Sequence, residues 1–151
     1  MKFTPSKLNT FLIFKLPSAY LCGVRVFAID EERCITRVRH RWINQNPFHS
    51  MYFAVQAMAA ELATGALVMN HIQMSNQKMA MLVVQNKAVF VKKATGMIAF
   101  ECNDGLAVKQ AISKSLTSGE SQRFWMKTVG KDESGAIVSE MEFEWSIKSK
   151  S

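Results

Sequence analysis

Cysteine, proline and glycine are all scarce in this sequence, and each scarcity removes a class of protein. The three cysteines, Cys22, Cys34 and Cys102, are odd in number and never fall in Cys-x-x-Cys spacing, so neither a disulfide framework nor a zinc site is expected. A reducing, cytoplasmic setting fits that usage. Three prolines and seven glycines in 151 residues leave no Pro-, Gly- or Ser-rich linker and no repeat, and one domain over residues 1–151 is expected. There is no glycine-rich phosphate loop, no His-Glu-x-x-His and no Gly-x-Ser-x-Gly, so no metal and no cofactor is expected. The apolar run Phe11–Leu16 is broken by Lys15 and followed by Pro17, too short for the core of a secretory signal.

Acidic side chains are also in short supply, 12 against 19 Lys and Arg. The resulting charge of +7 favours polyanionic partners: nucleic acid, anionic lipid or the phosphates of a nucleotide-bearing molecule. Arg37, Arg39 and Arg41 alternate with Val38, His40 and Trp42. That pattern is either a phosphate-binding ribbon or the wet face of a half-buried strand. No aromatic side chains interleave with the arginines and no nucleic-acid motif accompanies them, so nucleic acid is not expected as a partner.

What the chain does have is one long apolar stretch, Ser50–Met69, rich in Ala, Met and Leu and free of proline. Strong helix formers dominate it, and the spacing predicts a helix of roughly 30 Å at 1.5 Å per residue. Ser50 or Asn46 is the expected cap. A helix apolar nearly all round must be covered on most sides, and small residues at Ala54, Ala57, Ala59, Ala60, Ala63, Gly65 and Ala66 let a sheet approach closely. The stretch is long enough to span a membrane, but Glu61 sits near its centre and amphipathic strands follow, so a core helix is the expectation. An unpaired carboxylate there costs several kcal/mol or takes up a proton.

The rest reads largely as strands. Thr4-Pro5 opens a helix that Pro17 stops. Val24–Asp30 and Cys34–Trp42 form a hairpin across the polar turn between them. Asn70–Lys78 reads as a loop, and Met81–Lys92 and Met97–Cys102 as strands. Asn103–Gly105 starts a surface helix ending near Ser118-Gly119. Gln122–Val129 precedes a final strand in which Met141, Phe143, Trp145 and Ile147 alternate with Glu140, Glu142, Glu144 and Ser146. Arg123 and Lys127 are placed to pair with those glutamates across strands.

The segments Asn44–Ala54, Ala60–Gly65, Lys92–Gly96 and Ser139–Trp145, in this order of elements, resemble the hotdog fold of acyl-CoA thioesterases and dehydratases. The chain is similar in particular to the branch classed as domain of unknown function 4442. The resemblance covers nearly the whole chain and implies an α+β fold, an antiparallel sheet wrapped around the central helix. It also implies a homodimer or dimer of dimers with active sites where one subunit's helix meets the other subunit, and an acyl-CoA or other acyl thioester as substrate. The family helix commonly opens with His-Gly-Gly and carries an acid eight or nine residues on. Here His49-Ser50-Met51 stands in that place and Glu61 follows His49 by twelve; aligned on the acid instead, the glycines fall near Tyr52 and Phe53.

The candidate catalytic residues are Glu61, His49 and Asn46. Glu61 either activates water or attacks the thioester carbonyl; the structural alternative is a carboxylate hydrogen-bonded to Gln, Asn or Thr64, one turn away. His49 is a general acid or plain loop surface. Asn44 and Asn46 orient the carbonyl or hold the loop through backbone bonds. Amides near Met51, Tyr52 and Phe53 at the helix start offer an oxyanion hole, Thr64 a further polar contact, and Lys92 and Lys93 charges for coenzyme A phosphates. The competing reading is a non-catalytic hotdog domain that binds an acyl ligand or a partner.

Overall fold

A computed structural model describes residues 2–150. The elements are α1 (Pro5–Lys15), α2 (Pro17–Leu21), β1 (Arg25–Ile29), β2 (Cys34–Arg39), a 3-10 turn (Trp42–Asn44), α3 (Phe53–Ser75), β3 (Met79–Phe90), β4 (Met97–Cys102), α4 (Gly105–Ser118), β5 (Gln122–Lys131) and β6 (Ile137–Ser149). The six strands form one antiparallel sheet in the order β1-β2-β4-β5-β6-β3. Its inner face wraps α3.

Small side chains on α3 allow the close approach. Ala59, Ala60, Ala63 and Ala66 are fully buried, and two buried threonine hydroxyls bond the helix from the sheet. Thr36 of β2 donates to the Ala59 carbonyl at 2.7 Å and Thr128 of β5 to the Ala60 carbonyl at 3.0 Å. These bonds let the two threonines stay buried without leaving a polar group unpaired. Phe100, Ile98, Val38, Met126, Met141 and Ile147 fill the space between helix and sheet.

Thr4 caps α1 through Lys7 as its Thr-Pro start predicts. Pro17 ends that helix but also occupies the first position of α2, where a missing N–H costs nothing. The expected closing strand alternates as read except at Glu144, which is buried between Phe143 and Trp145 and accepts from Gln85 at 3.0 Å; Arg123 and Lys127 lie 3.7 and 3.3 Å from Glu144 and Glu140. Arg37 and Arg39 belong to the exterior of the hairpin: Arg37 stacks on the Phe27 ring and Arg39 lies 3.8 Å from Glu133.

The central helix differs from its expected span at both ends. It begins at Phe53, and neither Ser50 nor Asn46 caps it; Tyr52 holds the cap position without a side-chain bond. It continues six residues past Met69, through a polar stretch expected to be loop. Asn70 and His71 are buried there and satisfied by distant backbone. The Asn70 carboxamide accepts from Phe3 N–H at 3.0 Å, and His71 Nε2 donates to the Glu31 carbonyl at 2.8 Å. Asn76 ends the helix in the left-handed conformation, which asparagine tolerates. By length and composition α3 passes for a membrane span, but most of it is buried inside the protein.

Candidate active site

Two features of α3 make the site. At its N-terminus the first turn, the preceding loop and the end of β3 enclose a groove of about 400 Å³ lined by Asn46, Phe48, Met51, Tyr52, Phe53, Gln56, Phe90, Val91, Lys92 and Lys93. It therefore gathers six of the residues singled out in the sequence. In the aromatic wall Phe53 lies edge-on to both Tyr52 and Phe90.

Backbone bonding decides which amides are available. Met51 N–H donates to the Ala94 carbonyl at 2.8 Å and Tyr52 N–H to the Asn44 carbonyl at 2.9 Å, so neither serves an oxyanion as expected. The first helical amides, Phe53 and Ala54, have no acceptor among the described residues. The anion-binding end of the helix lies one to two residues further along than the sequence suggested.

Glu61 stands eight residues after Phe53, near the middle of α3. Its carboxylate has no hydrogen-bond or ion-pair partner among the described residues, and burial pushes its pKa up to about 7. It is partly exposed on a half-covered stripe that includes Ala57, Met58 and Ile72, and it packs beside Gly65. A Cβ on Gly65 would sit 3.4 Å from Glu61 Oε1 and 3.2 Å from the Trp145 ring, so the glycine gives both side chains room. The expected partner, Thr64, is bonded elsewhere: its hydroxyl donates to the Glu61 backbone carbonyl at 2.7 Å and accepts from Trp145 Nε1 at 2.9 Å. Thr64 is fully buried and anchors Trp145.

The asparagines hold the loop. Asn44, 2% exposed, accepts from Arg41 N–H at 2.8 Å and donates to the Cys22 and Arg39 carbonyls at 2.9 and 2.8 Å. Asn46 lines the groove, yet its carboxamide is engaged with Ser50, Phe48 N–H and the Met51 carbonyl. Both carboxamides thus bond the loop and its neighbours, and Asn46 does so from the groove wall. His49 is exposed with φ 60° and lies outside the groove lining. Lys92 lies 2.7 Å from Asp132, holding that carboxyl well below the usual range, and Lys93 donates to the Phe48 carbonyl at 3.2 Å. Both lysines sit on the rim.

Sequence reasoning missed Gln56. It is 4% exposed, lines the groove, and its carboxamide oxygen is shut off from solvent without a hydrogen-bond partner. Its only signal was position, one turn after Phe53 in an otherwise apolar run.

A single antiparallel sheet wrapped around a long helix, with small residues at the contact, is the hotdog fold. The chain belongs to the family described as domain of unknown function (DUF4442), whose pattern matches residues 6–147. No curated protein matches it. Among solved structures it is similar to a Pseudomonas aeruginosa protein of unknown function described as a probable thioesterase, at 22% identity and TM-score 0.84, covering 99% of each chain. It also resembles a Chlorobaculum tepidum protein of unknown function, at 15% identity and TM-score 0.82, covering 97% of this chain and 98% of that one. A third relative is a Haemophilus influenzae thioesterase, at 12% identity and TM-score 0.74, covering 99% of this chain and 93% of that one. At these identities the likeness is one of fold.

Proposed function

We propose that the protein hydrolyses an acyl thioester, such as an acyl-CoA, with Glu61 as general base and the free Phe53 and Ala54 amides as oxyanion hole. The observation that carries this reading is the unpartnered Glu61 carboxyl with its pKa near 7. A carboxyl raised to that range takes up and releases a proton near neutral pH, where a general base is most useful. Water attacks the thioester carbonyl as Glu61 takes its proton. The carbon–sulfur bond then breaks, and the thiolate recovers the proton from Glu61. The amides stabilise the negative oxygen between those steps.

Eight helical residues, about 12 Å of rise, separate Phe53 from Glu61, so one chain does not bring both to one carbonyl. The proposal therefore includes a homodimer. Supporting it, β3 is a 12-residue edge strand paired on one side only among the described residues, and such an edge invites a second strand. The groove lies at the end of β3, at Phe90–Lys92. Glu61 lies on the side of α3 that faces β6, the neighbour of β3, since both it and Trp145 of β6 flank Gly65. A two-fold axis at that edge exchanges the two ends and sets one subunit's groove beside the partner subunit's helix.

The test is a thiol-release screen over acyl-CoAs of varied chain length with the wild type and Glu61→Gln. Turnover that falls about 100-fold or more in the variant, with the assembly unchanged, is expected. Absence of release from any substrate, together with an acyl ligand retained in native mass spectra, would support the non-catalytic reading instead. The separation of Glu61 from the groove within one chain is what favours that second reading.

A further inference from the structure

We propose that the end of the fold formed by α1, α2 and the 3-10 turn docks on an anionic lipid bilayer, with Phe14, Leu21, Trp42 and Ile43 entering the headgroup region and Lys15 and Arg41 meeting lipid phosphates. α1 lies along the free edge of β1. Lys2 pairs with Glu31 in the hairpin turn, and the Asn9 carboxamide accepts from Val26 N–H at 2.8 Å and donates to the Val26 carbonyl at 3.0 Å. The helix therefore runs from the turn to the open end of the β1–β2 hairpin, and Leu16 joins it directly to α2. There the Asn44 carboxamide donates to the Cys22 carbonyl, which sets the 3-10 turn against the end of α2. Leu8 and Leu12 face the core, whereas Phe14, Leu21, Trp42 and Ile43 are 75, 66, 82 and 53% exposed. Large apolar side chains gathered outside the core in this way mark an interaction surface.

Charge selects the occupant. Residues 2–29 and 33–60 contain no Asp or Glu. The acids between them, Asp30, Glu31 and Glu32, sit in the turn at the far end of the hairpin, roughly 20 Å away along the residues of β2. Lys15 and Arg41 make no ion pair among the described residues, and Glu133 is already engaged by Arg39 and Met97 N–H. A second copy seated on this face by two-fold symmetry would set the same cations against each other. An anionic leaflet attracts them instead. Cations beside Trp, Phe and Leu are the composition of surfaces that lie in the membrane–water boundary, where the tryptophan ring is most at home. The face lies at the β1 edge, and β3 forms the opposite edge of the sheet, so a dimer built on β3 leaves it open. The docking is independent of the chemistry proposed for Glu61.

The experiment uses the intact protein and sucrose-loaded vesicles of phosphatidylcholine, alone or with about 30% phosphatidylglycerol, at about 0.15 M salt. The wild type sediments with the anionic vesicles and partitions about tenfold or more weakly onto the neutral ones. The double variant Phe14→Gln, Trp42→Gln loses about tenfold or more of the anionic partition, and so does Lys15→Glu, Arg41→Glu, which leaves the apolar side chains in place. With brominated phosphatidylcholine in the anionic vesicles, the wild-type tryptophan emission is quenched. Trp42→Phe still sediments but loses most of that quenching, since Trp145 is buried in the core. No sedimentation with either vesicle, equal partition onto both, or a double variant that binds as the wild type does overturns the inference. Quenching that persists in Trp42→Phe also overturns it, because another face then meets the lipid. A smaller assembly for Phe14→Gln, Trp42→Gln than for the wild type in light scattering assigns the face to a second copy and overturns it as well. None of these readouts uses thiol release, so the thioesterase reading can fail while the docking stands.

Discussion

Glu61→Gln should make the protein more stable and less active at the same time, and the pH dependence of the gain can be worked out in advance. The Glu61 carboxyl has an ordinary value of 4.5 and is raised to about 7 in the folded chain. At about 1.4 kcal/mol per pKa unit, ionising it in the folded protein costs about 3 kcal/mol. Because the carboxyl keeps some contact with solvent, that figure is an upper one.

The sign follows from which state holds the proton. Below about pH 4.5 folded and unfolded chains are both protonated and the cost is absent. Between about pH 4.5 and 7 the unfolded chain ionises first, so stability falls as pH rises; above about pH 7 the loss is complete. Glutamine has the same shape and does not ionise, so the variant escapes the loss. At pH 8 it should gain up to about 3 kcal/mol, roughly 6–12 °C in melting temperature for a chain of this size, and near pH 4.5 almost nothing. Thermal unfolding at both pH values and equal protein concentration reads this directly. Equal pH dependence in the two proteins would refute the argument, since the Glu61 carboxyl would then be solvated or paired. The wild-type kcat/KM should rise with pH to a plateau with a midpoint near 7, and the variant should lose both the activity and the midpoint.

Asn44→Ala should lower stability by about 3 kcal/mol in urea unfolding, because it leaves one N–H and two carbonyls of the loop without their partner. Turnover per folded molecule should hold. His49→Ala should change kcat/KM by less than about twofold, since the ring is exposed and outside the groove; a tenfold loss in steady-state kinetics would return the histidine to the reaction. Gly65→Ala should cut turnover more than it cuts stability, as its methyl meets the Trp145 ring and Glu61, which paired melting and activity curves will separate. Light scattering at micromolar concentration should give a dimer or larger assembly, and a clean monomer would remove the shared site.

The central helix, the strand alternation and the isolation of Glu61 were legible in the sequence, because each rests on local periodicity or on composition within one stretch. Apolar content from Ser50 to Met69 required burial from several sides, and a charge in its midst required a partner or a function, whatever the rest of the chain did. Tertiary structure decided what depends on distant partners. Residues 70–75 are helical because Phe3, Asp30 and Glu31 satisfy Asn70 and His71, relieving polar side chains of the solvent they would otherwise seek. Asn44 and Asn46 bond the loop because Cys22, Arg39 and Ser50 lie within reach of their amides. The amides of Met51 and Tyr52 are closed to a ligand because Ala94 and Asn44 take them, which moves the available N–H groups to Phe53 and Ala54. Gln56 was invisible for the same reason: nothing local tells whether a buried carboxamide finds a partner, since hydrogen bonds are settled by whichever groups the fold brings within 3.5 Å, not by neighbours in sequence.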